Sequence, residues 1–502
     1  MNPPARCRNG QSLPLASIPE VTPDRFHAQV VERIEAGGRI CALFGFPDDD
    51  AHILLAVLGF DQQGVLEMVS TRVQGAFRAL TPEAPQAHWF EREIAEQWHL
   101  TPDGHPWLKP IRFHRPWTGN ASSGPDEDLP LPGVTDYFRV KGQEIHEVAV
   151  GPVHAGIIEP GHFRFQCYGE HVFHLEIELG YQHRGIERAL IGGPDRRTGH
   201  LMETLAGDTS VGHATAYALL MEGLAATAAS ARAQSIRAVA LELERLANHT
   251  GDLGALAGDV GYLPTSAFCG RLRGDFLNAT ALICGNRFGR HLLRPGGVAC
   301  DLSAKTIHDL ERRLQAAFAD VQNAVDLLWS TPSVLSRFET TGRIATEDAR
   351  ALGLVGPAAR SCDVVRDVRY DFPWGAYQVH VIPPATWPTG DVLARARVRW
   401  LEMQRSMEFI LQQLHELPSG RIDADMAAPA PGHVAVSLVE GWRGEICHVA
   451  VTDAAGRFRH YKVTDPSFHN WFALALALRG QQISDFPLCN KSFNLSYCGH
   501  DL

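Results

Sequence analysis

The sequence predicts an α+β N-terminal domain followed by a mainly α, helix-bundle large domain with peripheral antiparallel β-structure. Between residues 40 and 73, three apolar runs are separated by turn residues, the pattern of a β-meander. Beyond residue 210, long stretches repeat apolar side chains at helical spacing. Between them lies Pro116–Pro132, rich in Asn, Gly, Ser and acidic residues, with the composition of a linker.

Taken in order, residues 1–22 are rich in Pro, Ser and Arg and are expected to be a flexible terminus. Thr22-Pro-Asp-Arg-Phe then opens a short helix, with Thr22 or Asp24 as cap and Pro23 in the first turn. Ile40–Phe46, His52–Phe60 and Val65–Val73 are the meander strands, broken at Pro47-Asp-Asp-Asp and Asp61-Gln-Gln-Gly. The acidic run Asp48–Asp50 reads as a solvated turn. A helical stretch, Ala87–Trp98, completes the unit, giving a first domain at 23–115, a linker at 116–137 and a large domain at 138–502.

In the large domain, residues 145–185 read as strands and hairpins. Helices are predicted at Gly212–Ala231, Ala233–Leu256, Phe268–Leu293, Ser303–Trp329 and Asp391–Leu414. The last places Leu393, Val398, Leu401, Met407 and Leu411 near one face, and Gly390-Asp391 is its start signal. A β-rich return at 433–463 precedes a terminal helix near Trp471–Leu478 and an irregular tail. Cys167, His171 and His174 have metal-like spacing, but Phe163–Leu179 alternates as a hairpin turning at Gly169-Glu170. Alternation sends His171 and His174 to opposite faces, so no metal site is assigned there.

Composition excludes several function classes. An apolar fraction of 45% rules out wholesale disorder. With 46 basic against 57 acidic residues the net charge is −11, and no long basic block suits nucleic acid. The same sign disfavours direct attachment to anionic lipid. No apolar run approaches the roughly 20 residues of a bilayer span, and the N-terminus has no apolar signal core. The ten cysteines are scattered with no CxxC pair, the pattern of reduced thiols inside a cell. No GxGxxG follows a predicted strand, so NADH binding is not assigned to this chain.

Resemblance carries the reading further. Ala87-His-Trp-Phe-Glu-Arg-Glu-Ile-Ala-Glu-Gln-Trp, followed by Gly104-His-Pro-Trp-Leu-Lys-Pro, resembles the small hydrophilic subunit flanking the quinone-reducing subunit of respiratory complex I. Gly151-Pro-Val-His, Glu159-Pro-Gly-His-Phe-Arg, Tyr181-Gln-His-Arg-Gly-Ile-Glu and Gly212-His-Ala-Thr-Ala-Tyr resemble another pair of proteins. These are the large subunit of group 4 nickel–iron hydrogenases and the quinone-site subunit of complex I. Arg294-Pro-Gly-Gly-Val, Gly356-Pro-Ala-Ala-Arg, Val439-Glu-Gly-Trp-Arg-Gly-Glu and Asp485-Phe-Pro-Leu belong to the same pattern. The order matches the fused large subunits of formate hydrogenlyase-type complexes.

The departures are informative. The resemblance implies a nickel–iron centre held by two CxxC pairs of thiolates. Here the first pair falls on Ala206 and Thr209 and the second on Ser496 and Gly499, while Cys489 and Cys498 are out of register. A nickel–iron site is therefore not expected. The positions of the quinone-binding His and Tyr of complex I hold Ile158 and Gly207, which offer no side-chain hydrogen bond. Five polar residues are the cavity candidates. By resemblance Glu159 stands where hydrogenases place a proton-relay glutamate, Arg443 where an arginine overhangs the metals, and His154 at a histidine of the same loop. Asp208 and His213 flank the lost first pair.

The resemblance implies the large subunit of a membrane-associated oxidoreductase complex, peripheral on the cytoplasmic side of the cell membrane. Its implied partners are an iron–sulfur small subunit and integral membrane ion-translocating subunits, and no cofactor is expected on this chain itself. One reading is electron transfer to a quinone or another carrier at a degenerate site. The other is a non-catalytic scaffold or coupling subunit between the iron–sulfur subunit and the membrane partners.

Overall fold

The computed structural model of the protein describes residues 3–117 and 131–502, so most of the 116–137 linker lies outside the described residues. The meander forms as its turns dictate: Arg39–Asp48, Ala51–Phe60 and Val65–Val73 pair antiparallel in sequence order. Helix Pro23–Glu35, with Pro23 in its first turn, and helix His88–Trp98 cover one face. Residues 5–21, read from composition as flexible, are instead tied down. Ala5–Cys7 pairs antiparallel with Leu66–Met68, Glu20–Val21 runs parallel to Ser70–Thr71, and Ser12–Pro14 crosses to pair with His433–Ala435. Backbone hydrogen bonding to two sheets outweighs the Pro- and Ser-rich composition.

That crossing shows how the two predicted domains join. The sheet of Ser12–Pro14, His433–Gly441, Gly444–Thr452 and Phe458–Thr464 is buried along almost its whole length. It lies face to face with the meander, where Phe44, Phe46, Leu55, Val57 and Met68 pack with Val434, Val436, Leu438, Val449 and Val451. A third, peripheral sheet of Ile145–Val150, His162–Tyr168 and His171–Glu178 leaves His171 exposed and Cys167 buried.

Five long helices follow in the predicted large domain: Ser210–Leu224, Ala231–Asp259, Leu263–Cys284, Ala304–Trp329 and Val392–His415. Their ends follow local chemistry. Ser230, Ser303 and Asp391 each accept a backbone N–H as N-caps. The first helix stops short of the predicted Ala231 because Ala226 takes a left-handed φ of 47°, and the third ends at Cys284 because Gly285 takes φ 77°. The C-terminal segment is not irregular: Pro466–Ala477, Phe486–Phe493 and Tyr497–Asp501 are helical. In Val392–His415 the predicted apolar face is only partly inward, with Leu393, Leu401 and Leu411 half-buried. A buried polar stripe, Arg395, Arg399, Glu402 and Ser406 at helical spacing, runs beside the buried apolar Val392, Ala396, Met403 and Ile410.

Gly356 and Gly444 bring two backbones into contact: a Cβ on Gly356, at φ +65°, would collide with the Arg443 carbonyl and Gly444 Cα. Gly356→Ala is expected to lose about 2–4 kcal/mol of stability in denaturant unfolding. Gly270→Ala, on an exposed helical position with open space, should gain up to about 1 kcal/mol. Equal effects of the two would contradict the packing argument.

Candidate functional site

The first candidate segment, Ala206-Gly207-Asp208-Thr209, is the turn leading into helix Ser210–Leu224. Two side chains hold its backbone: Asn248 Nδ2 and Trp442 Nε1 both donate to the Asp208 carbonyl at 3.0 Å. The helix N-terminus is closed by Glu244, which accepts from the N–H groups of Val211 at 2.7 Å and Gly212 at 3.1 Å. Burial pushes the Glu244 carboxyl up to about 8 in spite of these donors.

Arg443 comes from the tight turn between strands His433–Gly441 and Gly444–Thr452. Its guanidinium grips Asp208 with two bonds, 2.6 and 2.8 Å, and its Nε donates to the Asn494 carbonyl. It also stacks over the Trp442 ring at 3.9 Å. Burial by itself would raise the Asp208 carboxyl, but the Arg443 charge and hydrogen bonds hold it below the ordinary value. Thr209 Oγ1 accepts from Arg443 Nη1 and donates to Asp208, so its oxygen is committed.

A second cluster lies behind the first. His213 Nε2 meets Asp465 Oδ2 at 3.1 Å, His213 Nδ1 meets His448 Nε2 at 3.1 Å, and His448 Nδ1 meets the Tyr461 hydroxyl at 2.9 Å. All four side chains are buried. With Asp465 ionised and both imidazoles neutral, the tautomers that satisfy every contact run one way. Tyr461 O–H donates to His448, His448 Nε2–H to His213, and His213 Nε2–H to Asp465. Asp465 also accepts the Ser467 N–H, capping helix Pro466–Ala477. Burial would raise the Asp465 carboxyl, yet the bond from His213 and the charge of Arg443 bring it below the usual range.

The third segment is helix Tyr497–Asp501, capped by Ser496 Oγ, which accepts from the Gly499 N–H at 2.9 Å. Glu159 is half-buried and accepts from the backbone N–H groups of Tyr497 and Cys498 at 3.2 and 3.4 Å. The Gly207 N–H faces the Cys498 thiol, so the turn and this helix are neighbours. The structure thus brings Asp208, Arg443, His213 and Glu159 to one junction. His154 is not drawn into it, because its Nε2 is bonded to the Gly161 carbonyl of its own loop at 2.9 Å. Asp465, His448, Tyr461 and Glu244 were not singled out in the sequence; the signal available was His448 within the apolar run Ile446–Val451.

The residues at the four positions where the resemblance would put ligands do not fit a thiolate-held nickel–iron centre. Ala206 and Gly499 carry no donor, and the Thr209 and Ser496 oxygens are engaged in the contacts above. A Cβ at position 499 would lie 2.7 Å from the Asp465 carboxylate, which fills the space a side chain there would need. A quinone finds no donor at Ile158, which is 49% exposed, or at Gly207, although nothing lies within 4 Å of a Cβ built there.

Residues 259–433 match the family described as respiratory-chain NADH dehydrogenase, 49 Kd subunit. The chain is 28% identical to formate hydrogenlyase subunit 5 of Escherichia coli (strain K12) over 96% of its own length and 86% of the relative's. It is 30% identical to the carbon monoxide-induced hydrogenase of Rhodospirillum rubrum, over 70% of this chain and 97% of that one. With NADH-quinone oxidoreductase subunit 4 of Thermus thermophilus it shares 28% identity over 72% of this chain and 94% of the relative.

Asp208→Asn removes the counter-charge of Arg443, and since the Asp208 side chain is 33% exposed the cost is set at about 1–3 kcal/mol in denaturant unfolding. A loss no larger than that of a surface Asp→Asn change would show that the pair is not holding the turn. The raised Glu244 makes a pH prediction. Its folded form keeps a proton that the unfolded chain gives up at about 4.3, so it withdraws stability as pH rises from there to about 8. Glu244→Gln should therefore gain stability relative to the parent chain between pH 5 and pH 8; parallel pH profiles would contradict this.

Proposed function

Because the chain belongs to the family of the respiratory-chain NADH dehydrogenase 49 kDa subunit and its hydrogenase relatives, we propose that it serves a membrane-associated hydrogenase- or complex I-like assembly as a coupling subunit. Its partners in this reading are an iron–sulfur small subunit and integral membrane ion-translocating subunits, with the chain peripheral on the cytoplasmic face. No helix among the described residues is long and apolar enough to cross a membrane, in keeping with a peripheral place.

The observation that carries the reading is the Asp465 carboxylate standing in the side-chain space of Gly499 and ending a chain of three hydrogen bonds through His213 and His448 to Tyr461. Ionisable groups occupy the cradle in which relatives of the hydrogenase type are expected to carry metal. At rest the shared proton sits on His213 Nε2, because Asp465 is held below its ordinary value. Arg443 contributes to that, and Asp208 in turn feels the Asp465 charge, so the ion pair and the relay respond to each other. A shift of Asp208 or of helix Tyr497–Asp501 would change the field on Asp465 and the position of the proton. That is a coupling device without redox chemistry of its own.

Electron transfer to a quinone or another carrier is the second reading. It is favoured by the open space beside Gly207 and by Glu159 at its rim. The two separate in the complex purified with its native partners. Coupling predicts that Asp465→Asn lowers ion translocation at least several-fold while quinone-analogue reduction is kept, and that Glu159→Gln leaves reduction near the parent rate. Loss of reduction in Glu159→Gln with translocation merely following it would favour the redox cavity instead.

A further inference from the structure

We propose that His200, Glu203 and His291 form a binding site for a divalent transition-metal cation, with zinc the fitting occupant. A nitrogen of each imidazole and an oxygen of the carboxylate all lie within 4.8 Å of one another. His200 and Glu203 are three residues apart at the end of the short helix Thr198–Met202, which turns both to one side. His291 arrives from the turn after helix Leu263–Cys284 in a left-handed conformation, φ 65°. Its backbone N–H donates to Glu203 Oε1 at 2.6 Å, and the two imidazole rings meet edge to face with centroids 5.0 Å apart.

Two features of the cluster point to a cation. Glu203 is 5% exposed, yet among the described residues no Lys or Arg reaches ion-pair distance of it. A buried carboxylate is ordinarily paired or bound to metal. Both histidines are exposed, and among the described residues neither imidazole makes a hydrogen bond, so their lone pairs are available.

Two imidazole nitrogens and one carboxylate oxygen make a borderline donor set suited to zinc and its neighbours, with a position left for water. Ligand bonds of about 2.0–2.1 Å put donor atoms about 3.3 Å apart at a tetrahedral ion, so closure requires only rotation of the exposed imidazoles. Metal competes with protons for those nitrogens, so affinity should weaken in acid.

The position gives the ion a consequence. The Glu203 carbonyl accepts from Ser210 Oγ, at the start of the helix that follows the Asp208 turn. Arg287 and Phe288, just before His291, line a small cleft with Asp208 and Glu244. A bound cation would pin the two segments on either side of that cleft.

The test is a titration of the reduced full-length chain with Co2+ alone, followed by its visible absorbance, and then displacement by Zn2+. The proposal predicts one equivalent bound with micromolar affinity, at least ten-fold weaker binding in His291→Ala and in Glu203→Gln, and a zinc-dependent rise in melting temperature confined to the parent chain. The His200→Ala/His291→Ala double variant alters only exposed side chains, and circular dichroism checks that it folds. Binding no tighter than millimolar in the parent chain, or equal binding in the parent and the double variant, would overturn the site.

Discussion

A buried lattice of charge fixes the centre of this protein. Three guanidiniums, Arg245, Arg360 and Arg369, meet the carboxylates of Glu242, Asp367, Glu402 and Glu440, all of them at most 1% exposed. Taking so many charges out of water is costly unless each is paired, and removing one partner typically costs about 3–5 kcal/mol. Four acids against three arginines leave one negative charge over. Burial, outweighing the pull of Arg360, pushes Glu440 up to about 7, so it gives up its proton far less readily than an ordinary carboxyl. The lattice ties helix Ala231–Asp259, helix Val392–His415, the segment after Gly356 and strand His433–Gly441 into one unit.

The candidate site follows from that constraint. Arg245 donates to the carbonyls of Glu440 and Gly441, which sets the end of the strand and the turn carrying Trp442 and Arg443. Gly356 and Gly444 then allow the neighbouring backbone to pack against that turn. From there Trp442 and Arg443 reach across to Asp208, one by its ring N–H and the other by its charge. The Asp208 turn lies beside helix Tyr497–Asp501, whose Gly499 leaves room for Asp465. Each contact holds the next in place.

Much of this was legible in the sequence where local chemistry decides. The meander was marked by Pro47-Asp-Asp-Asp and Asp61-Gln-Gln-Gly, and helix Val392–His415 by Asp391 as its cap. The motif match found Asp208, Arg443 and Glu159, and the motif that begins at Gly356 included the glycine on which the turn depends. Long-range pairing was not legible. Nothing in Ser12–Pro14 announces a partner at His433–Ala435, and the Pro- and Ser-rich composition pointed the other way. Apolar periodicity also misplaced the inner face of helix Val392–His415, because Arg395, Arg399 and Glu402 are buried by pairing that no single segment encodes. Asp465 and His448 were missed for the same reason: their partner, His213, lies more than 200 residues away.

The central claim is that ionisable side chains fill the cradle where the family resemblance would put metal. Nickel per chain, counted in the complex isolated with its native partners, tests it most directly. The count should be made on both the parent chain and the His200→Ala/His291→Ala variant, so that nickel at the surface cluster is not mistaken for nickel in the cradle. The account predicts no stoichiometric nickel in the variant. One nickel per chain retained there would contradict it and restore a metal centre at the Asp465–Arg443 junction.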